Sequence, residues 1–218
     1  MTRLVIFDMD GTLLDTLQDL ADCTNYLLRQ HGFPEHPVDA YRYFVGNGNR
    51  KLIERAIPES ERSIEKIESF FQEFLPYYEI HKEDKTRPYP GIVELLEELQ
   101  NQNVKMAIAS NKIQEAMLPL AQHYFPDIHF DAVLGNRQGI APKPDPAIVE
   151  DILQITGVSK EETLYVGDTA VDMQTAFAAG VRKVGVLWGF RTLEELQEAG
   201  ADIIVEKPEE ILQILHLK

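Results

Sequence analysis

The stretch that decides the fold is Leu4-Val5-Ile6-Phe7-Asp8-Met9-Asp10-Gly11-Thr12. Its first four residues are apolar, which is typical of a short strand buried in a parallel sheet. Two aspartates follow the apolar run, and Gly11 allows the chain to turn tightly behind them. In open α/β sheets, ligands collect beyond the carboxyl ends of the strands. The stretch therefore predicts a buried strand that delivers carboxylates to a site.

Apolar runs of strand length recur along the chain, and helical patterns separate most of them. The pattern over Ile92–Gln100 has apolar residues at the i, i+3, i+4 and i+7 positions of a helix that rests on a sheet. This alternation predicts an α/β fold whose core is a doubly wound, mostly parallel, Rossmann-like sheet. The predicted strands are Leu4–Phe7, Val104–Ala109, Thr163–Val166, Lys183–Leu187 and Ala201–Val205, with Asp131–Leu134 as a weaker candidate.

Residues 15–86 break this alternation, because they contain no convincing strand. They are predicted to form helices, and the pattern from Glu61 to about Tyr78 is rich in aromatic residues typical of a small helical core. Pro76 is expected to kink or end that helix. We therefore expect an α-helical domain over residues 15–86, inserted into an α/β core domain that is built from residues 1–14 and 87–218.

Composition and charge exclude several classes of protein. The chain has 218 residues, and 21 Lys+Arg against 36 Asp+Glu give a formal net charge of -15. So acidic a chain is not expected to bind nucleic acid or an anionic membrane.

Cys23 is the one cysteine, which excludes a disulfide framework and a Cys-rich zinc site. No apolar run reaches the roughly 18 residues of a membrane span, and the first is too short for a signal peptide, so we expect a cytoplasmic protein. The sequence does not predict the oligomeric state.

Polar residues follow three of the predicted strands. Asp8 and Asp10 follow the first strand, Ser110 and Asn111 follow the second, and Asp168 follows a third. The carboxyl ends of parallel strands lie at one edge of a sheet, so these side chains should converge although they are far apart in sequence. A single Asp-x-Asp-Gly also fits an ordinary turn, but three strand ends of this kind favour a site.

The predicted site is rich in carboxylates. Asp8, Asp10, Asp168 and Asp172 would repel one another in one cleft unless a cation lay among them. Ligands that are all oxygen suit Mg²⁺ rather than zinc. We therefore expect these four aspartates to form a Mg²⁺ site.

The geometry also suggests a division of roles. Asp8 directly follows a strand, so the sheet fixes its position, as a nucleophile requires. Asp10 faces the same cleft from the loop and could exchange a proton with a leaving group. Ser110 and Asn111 can donate hydrogen bonds, and Lys143 supplies positive charge for a phosphoryl group.

Together these residues resemble the four motifs of the haloacid dehalogenase-like hydrolase superfamily. The resemblance lies in Asp8–Leu13, Ser110, Lys143–Pro146 and Gly167–Asp172, which occur in the right order across nearly the whole chain. The helical insertion resembles the C1-type cap domain of this superfamily. The resemblance therefore implies a catalytic α/β core with a cap.

The resemblance also implies a reaction. Asp8 would attack phosphorus to give an aspartyl-phosphate, and Asp10 would protonate the departing alkoxide and then activate water. Mg²⁺ would be held by the Asp8 carboxylate, the Asp10 main-chain carbonyl and Asp168. Asp172 would orient a metal-bound water or Lys143. Haloacid dehalogenases of this fold lack the second aspartate, so Asp10 favours phosphoester hydrolysis.

Substrate choice is expected to depend on the cap. Val45–Lys51 is similar to the cap loop of phosphoglycolate phosphatases. The segment Val184–Asp202, which includes Trp188-Gly189-Phe190, resembles the same enzymes. A dinucleotide-binding loop is excluded because Lys51 occupies the place of its third glycine, but an ordinary turn between helices remains an alternative. The predicted substrate-binding residues are Thr12, Asn111, Gly46, Asn47 and Arg50, with Arg50 favoured for its charge.

The leading hypothesis is a Mg²⁺-dependent phosphomonoester hydrolase that acts on a small phosphorylated metabolite, 2-phosphoglycolate or a similar acidic phosphate. A pyrophosphatase, a broad sugar-phosphate phosphatase and a β-phosphoglucomutase are alternatives with the same chemistry. A phospho-accepting signalling receiver is an alternative of another class, against which the helical insertion and the Asp-x-Asp spacing argue. A non-catalytic metal-binding module is a further alternative, but it gives Ser110 and Lys143 no role.

Overall fold

A computed structural model describes residues 1–216 of the chain. The chain divides into two compact units. The α/β unit comprises Met1–Leu14 and Pro88–Lys218, and the helical unit comprises Asp15–Arg87. Residues 217 and 218, the end of the predicted core domain, lie outside the described residues.

The strands and α-helices of the described residues have the following bounds. The strands are β1 (Leu4–Phe7), β2 (Leu14–Asp15), β3 (Arg87–Pro88), β4 (Lys105–Ile113), β5 (Ala132–Asn136), β6 (Thr163–Gly167), β7 (Arg182–Val186) and β8 (Ile203–Val205). The α-helices are α1 (Leu17–Gln30), α2 (Tyr41–Phe44), α3 (Asn49–Ala56), α4 (Ile64–His81), α5 (Ile92–Asn101), α6 (Gln114–Tyr124), α7 (Ala147–Thr156), α8 (Ala170–Ala179), α9 (Leu193–Glu198) and α10 (Glu210–Ile214).

The α/β unit is built on a six-stranded sheet in the order β5-β4-β1-β6-β7-β8. Every pair of neighbouring strands in it is parallel. Strand β1 is central, and Phe7 is level with Ile108 of β4 and with Val166 of β6. The chain winds to one side of β1 and then to the other, which creates a switch point at the carboxyl end of this strand. The predicted doubly wound parallel sheet is confirmed.

Side chains from β1 enter both layers of the core. Val5 and Phe7 pack with apolar side chains of α5, α6 and α10, whereas Leu4 and Ile6 pack with those of α7 and α8. All four are fully buried. Burial on both faces explains why the strand is a continuous apolar run, because neither face can carry a polar residue without leaving it unsolvated.

Strand β4 differs from the prediction at its carboxyl end. We expected it to end at Ala109, but it continues to Ile113 and includes Ser110 and Asn111. The pairing of β4 with β5 shifts register between Ala109 and Ile113. An irregularity of this kind re-aims the side chains of the residues that it contains. The polar residues therefore lie within an irregular strand end rather than in a loop behind it.

The helical unit is stabilised by an aromatic core. Tyr41, Phe70 and Phe74 are essentially inaccessible to solvent. Helix α4 continues through Pro76, so the predicted end of the helix at this residue is wrong, and a kink there stays a prediction. Proline has no N–H, so the carbonyl of Gln72 does not accept the helical hydrogen bond that another residue at position 76 would donate. This loss is tolerated because Gln72 and Pro76 both face solvent.

No helix within residues 1–216 is long and apolar enough to cross a membrane.

Candidate active site

Asp8 lies at the carboxyl end of β1, the central strand. Its N–H donates to the carbonyl of Val166 in β6 (3.0 Å), and its Oδ1 accepts the N–H of Met9 (2.7 Å). The side chain is buried. The neighbouring strand and the adjacent amide therefore fix both the position and the orientation of this carboxylate.

Lys143 lies between β5 and α7, and its buried ammonium contacts two of the predicted site aspartates. Nζ is 3.0 Å from Asp8 Oδ1 and 2.8 Å from Asp172 Oδ1. It also donates to the carbonyl of Ala109 (3.0 Å) and the hydroxyl of Tyr165 (3.1 Å). Burial by itself would lower the pKa of Lys143, but the carboxylates of Asp172 and Asp8 outweigh it and raise that pKa well above its usual range. These carboxylates therefore favour the charged form of Lys143 beside Asp8.

Asp172 is fully buried in the first turn of α8, and protein donors contact both of its oxygens. Oδ1 accepts from Lys143, and Oδ2 accepts the hydroxyl (2.7 Å) and the N–H (3.1 Å) of Thr169. The contacts with Thr169 form a capping box at the start of the helix. This arrangement favours a role in orienting Lys143 over direct ligation of a metal.

Asp168 follows β6 and is completely buried. Its Oδ1 accepts the hydroxyl of Thr12 (3.2 Å), and its Oδ2 accepts the N–H of Phe190 (2.8 Å). Two glycines approach it closely, because a Cβ at Gly11 or at Gly189 would lie 2.3 Å from an Asp168 atom. Gly11 also has a φ of +89°, which L side chains rarely adopt. The site therefore requires glycine at both positions.

The carboxylates of Asp8, Asp168 and Asp172 form one buried cluster, with oxygens within 4.8 Å of one another. Burial raises the pKa of Asp8 well above its usual range; Lys143 opposes this effect and the carboxylate of Asp172 adds to it. Burial and then Asp172 raise the pKa of Asp168 to about 7. A hard divalent cation would relieve this repulsion, so the donor set fits such an ion.

Asp10 lies on the more exposed side of the site and pairs with a lysine. Lys112 Nζ is 3.3 Å from Oδ1 of Asp10 and 3.4 Å from Oδ2. Only 3% of the Lys112 side chain is exposed, compared with 16% of the Asp10 side chain. A buried cation thus holds a carboxylate that solvent can reach.

The other predicted residues of the α/β unit also lie at this edge of the sheet. Asn111 is buried and pairs with the backbone of Lys143, donating to its carbonyl (3.2 Å) and accepting its N–H (2.9 Å). The hydroxyl oxygen of Ser110 accepts the N–H of Lys112 (3.2 Å). Asn111 and Thr12 therefore support Lys143 and Asp168 directly, and their contact with a substrate stays a prediction.

The remaining predicted substrate residues, Gly46, Asn47 and Arg50, belong to the helical unit. The Arg50 guanidinium donates to both carboxylate oxygens of Glu68 (2.9 and 3.2 Å) and lies 3.9 Å from the centre of the Phe71 ring. The side-chain oxygen of Asn47 accepts from Arg55 (2.8 Å). These contacts lie within the unit, and the substrate role of the three residues also stays a prediction.

Sequence reasoning missed three contributors to the site. Lys112 is two residues from Ser110, a spacing that places both side chains on one face of a strand and could have indicated it. Tyr165 is a polar residue inside an apolar strand, which is a weaker signal of the same kind. The N–H of Phe190 has no signal in the sequence, because any residue other than proline carries one.

With this geometry established, comparison with known proteins identifies relatives of the chain. A model of the haloacid dehalogenase-like hydrolase family matches residues 5–186. A phosphoglycolate phosphatase of Pseudomonas putida is 32% identical over 94% of this chain and 77% of its own length. A phosphoglycolate phosphatase of Aquifex aeolicus is 30% identical over 98% of this chain and 96% of its own length.

Solved structures show the same similarity over the whole chain. The crystal structure of a provisionally named phosphoglycolate phosphatase from Lactobacillus delbrueckii subsp. bulgaricus is 33% identical, with a TM-score of 0.94 and full coverage of both chains. A protein from Haemophilus somnus, predicted to be a phosphoglycolate phosphatase, is 27% identical with a TM-score of 0.88, over 98% of this chain and 97% of its own.

Proposed function

The chain belongs to the haloacid dehalogenase-like hydrolase family and is a phosphatase, and we propose that its substrate is 2-phosphoglycolate or a similar small acidic phosphomonoester. One observation supports phosphatase chemistry most directly: the buried ammonium of Lys143 contacts Asp8 and Asp172. Asp168 lies beside them, at the carboxyl ends of adjacent parallel strands. The names of the relatives support the choice of substrate. The formal net charge of -15 disfavours a polyanionic substrate.

In the first step, the Asp8 carboxylate attacks phosphorus and the bond from phosphorus to the ester oxygen breaks. Oδ1 of Asp8 is held by Met9 and Lys143, which leaves Oδ2 to approach the phosphoryl group. Asp10 donates a proton to the departing oxygen, so glycolate leaves as an alcohol. The enzyme is left with an aspartyl-phosphate at Asp8 and a carboxylate at Asp10.

In the second step, Asp10 accepts a proton from water as that water attacks phosphorus. The bond between phosphorus and Asp8 breaks, which releases inorganic phosphate and restores both carboxyl groups. Lys143 stabilises the negative charge on the phosphoryl oxygens in both steps, because Asp172 and Asp8 raise the pKa of its ammonium and favour the charged form. Asp172 and Asn111 keep Lys143 in place through its side chain and its backbone.

Mg²⁺ is the metal that we propose for the carboxylate cluster. Asp8 and Asp168 would hold it with their carboxylates, and Asp10 with its main-chain carbonyl. When bound, Mg²⁺ neutralises the carboxylates and stabilises charge on the phosphoryl oxygens. Asp172 would contribute through Lys143 rather than as a ligand, because it forms an ion pair with that ammonium and its other oxygen belongs to the capping box of α8.

We propose that the helical unit is the cap domain and that Gly46, Asn47 and Arg50 in it contact the acidic leaving group. The α/β unit would then be the catalytic domain. A cytoplasmic location belongs to the same proposal, and the free, buried Cys23 is compatible with a reducing compartment.

The test is phosphate release from a panel of compounds in the presence of Mg²⁺. The panel contains 2-phosphoglycolate, pyrophosphate, sugar phosphates, nucleoside monophosphates and p-nitrophenyl phosphate, with each reaction repeated in EDTA. We expect a clear preference for 2-phosphoglycolate and no release in chelator. The Asp8→Asn protein, purified in parallel, controls for contaminating phosphatases.

Each other result points to a named alternative. Preferred release from pyrophosphate would indicate a pyrophosphatase, and an even profile would indicate a broad sugar-phosphate phosphatase. Conversion of β-glucose 1-phosphate to the 6-phosphate would indicate a mutase. Stoichiometric labelling of Asp8 without turnover would indicate a receiver, and activity in EDTA would overturn the metal assignment.

A further inference from the structure

The segment Trp188–Phe190 follows β7 and reaches the buried carboxylate of Asp168. The N–H of Phe190 donates to Asp168 Oδ2 (2.8 Å). Gly189 lies so close that a Cβ there would be 2.3 Å from the Asp168 Cβ and 2.6 Å from its Oδ2. The backbone of the segment therefore both donates to this carboxylate and packs directly against it.

The same segment also contacts the loop that follows Asp8. The indole N–H of Trp188 donates to the main-chain carbonyl of Thr12 (2.9 Å). A Cβ at Gly189 would lie 2.4 Å from the carbonyl oxygen of Gly11. Trp188 is partly buried and packs on the apolar core of the α/β unit, which gives the segment a rigid support.

Thr12 links Trp188 to Asp168, because it forms a hydrogen bond with each of them. Its carbonyl accepts from Trp188, and its hydroxyl donates to Asp168 Oδ1 (3.2 Å). Three hydrogen bonds thus join the loop after β1, the end of β6 and the end of β7. A shift of Trp188 would move Thr12, and a shift of Phe190 would remove a donor from Asp168.

We propose that Trp188–Phe190 is a clamp that positions Asp168, and the loop carrying Asp10, for metal binding and phosphoryl transfer. The inference rests on the proposed function, because it assigns Asp168 to the metal. Trp188 and Gly189 are then positioning residues, which act on the reaction through Asp168 and Thr12. Outer contacts of this kind typically change metal affinity or activity by about 10–100-fold.

The decisive variant is Gly189→Ala, because its methyl group must displace Asp168 or Gly11. A matched control is Gly185→Ala, which adds the same methyl in β7 against the flexible end of Ile204 (2.8 Å). Calorimetric titration with Mg²⁺ measures the metal affinity of each protein without any turnover. We expect the dissociation constant to rise about tenfold in Gly189→Ala and to stay within about twofold of wild type in the control.

Trp188→Phe tests the contact of the clamp with Thr12. It keeps an aromatic ring but loses the indole N–H that donates to Thr12 and part of the indole packing on the core. We expect a several-fold weaker affinity for Mg²⁺, a lower kcat and a lower Tm. Trp188 is also the one tryptophan of the chain, so tryptophan emission in the wild type reports on this segment alone. We expect saturating Mg²⁺ to change that emission.

A folded Gly189→Ala protein with wild-type affinity for Mg²⁺ would overturn the clamp. If this variant does not fold, wild-type affinity in Trp188→Phe would overturn it instead. Failure of the wild type to release phosphate from any ester would reject the proposed function, whereas the calorimetric comparison would still decide the clamp. Failure of the wild type to bind Mg²⁺ would reject the clamp as a metal-positioning device.

Discussion

The ammonium of Lys112 lies almost equally far from the two carboxylate oxygens of Asp10, at 3.3 and 3.4 Å. The lysine side chain is buried, and the aspartate is the partner that solvent can reach. Lys112 therefore limits the rotation of the carboxylate that we propose as the general acid and base. This relationship gives Lys112 a role that can be separated from that of Lys143.

Replacing Lys112 with methionine should impair the protonation of the leaving group. Methionine keeps most of the apolar volume but removes the charge that holds Asp10. We expect kcat on 2-phosphoglycolate to fall about tenfold or more and kcat on p-nitrophenyl phosphate to fall much less, because its leaving group needs less help from an acid. Lys183→Met, which removes the pair with Asp202 in the same unit, is the matched control. Equal losses on both substrates would contradict the proposed role.

Asp8→Asn should separate activity from stability. The pKa of Asp8 is raised, which means that the folded protein disfavours the charged carboxylate relative to the unfolded chain. The Asn amide cannot serve as the nucleophile, so turnover should be abolished. Removing the disfavoured charge should also raise the Tm of the metal-free protein. Thermal unfolding in EDTA and phosphate release measure the two effects. Appreciable turnover would remove Asp8 as the nucleophile, and a lower Tm would contradict the charge argument.

Asp172→Asn should have the opposite effect on stability. Its oxygens accept from Lys143 and Thr169, so the amide leaves a buried ammonium with a poorer partner. Loss of one member of a buried pair costs on the order of 3–5 kcal/mol, and kcat should fall by about 10–100-fold as Lys143 loses its orientation. Denaturant unfolding and kcat are the measurements. Unchanged stability in this variant would show that the pair is not a structural support.

The stability of the metal-free protein should decrease as the pH rises. The pKa of Asp168 is raised from 3.8 to about 7 in the folded state, first by burial and then by Asp172. Its contribution to stability is therefore complete below pH 3.8 and is lost as the pH passes about 7. Mg²⁺ displaces that proton, so the rise in Tm that Mg²⁺ causes should grow between about pH 5 and pH 8. A rise in Tm that is the same at every pH would contradict this prediction.

Replacing Arg50 distinguishes a role of this residue in substrate choice from a structural role in the helical unit. If Arg50 binds the acidic leaving group, Arg50→Ala should raise the KM for 2-phosphoglycolate about tenfold and leave p-nitrophenyl phosphate little changed. Glu68→Gln is the matched control, because it weakens the pair in the helical unit but keeps the Arg50 charge. If both variants lower the Tm and neither changes the preference between substrates, Arg50 is a structural residue.

The sequence by itself determined that the carboxylates of Asp8, Asp168 and Asp172 meet at one site. Asp8 and Asp168 directly follow short apolar strands, and neighbouring parallel strands bring their carboxyl ends to one edge. The local strand patterns therefore predicted that residues far apart in the sequence lie close together, because the parallel arrangement fixes where the strand ends lie. The same reasoning gave the doubly wound sheet, because alternating apolar strands and amphipathic helices can bury their apolar faces in few other ways.

The tertiary structure decided how each residue is used. It alone shows that Asp172 is engaged by Lys143, that Lys112 faces Asp10, and that Phe190 donates to Asp168. It also shows that β4 extends through Ser110 and that α4 continues through Pro76. These features depend on which partners the fold brings within hydrogen-bonding distance and on which carbonyls face solvent. The partners in these contacts are 22 to 102 residues apart in the chain, so packing rather than a local sequence pattern brings them together.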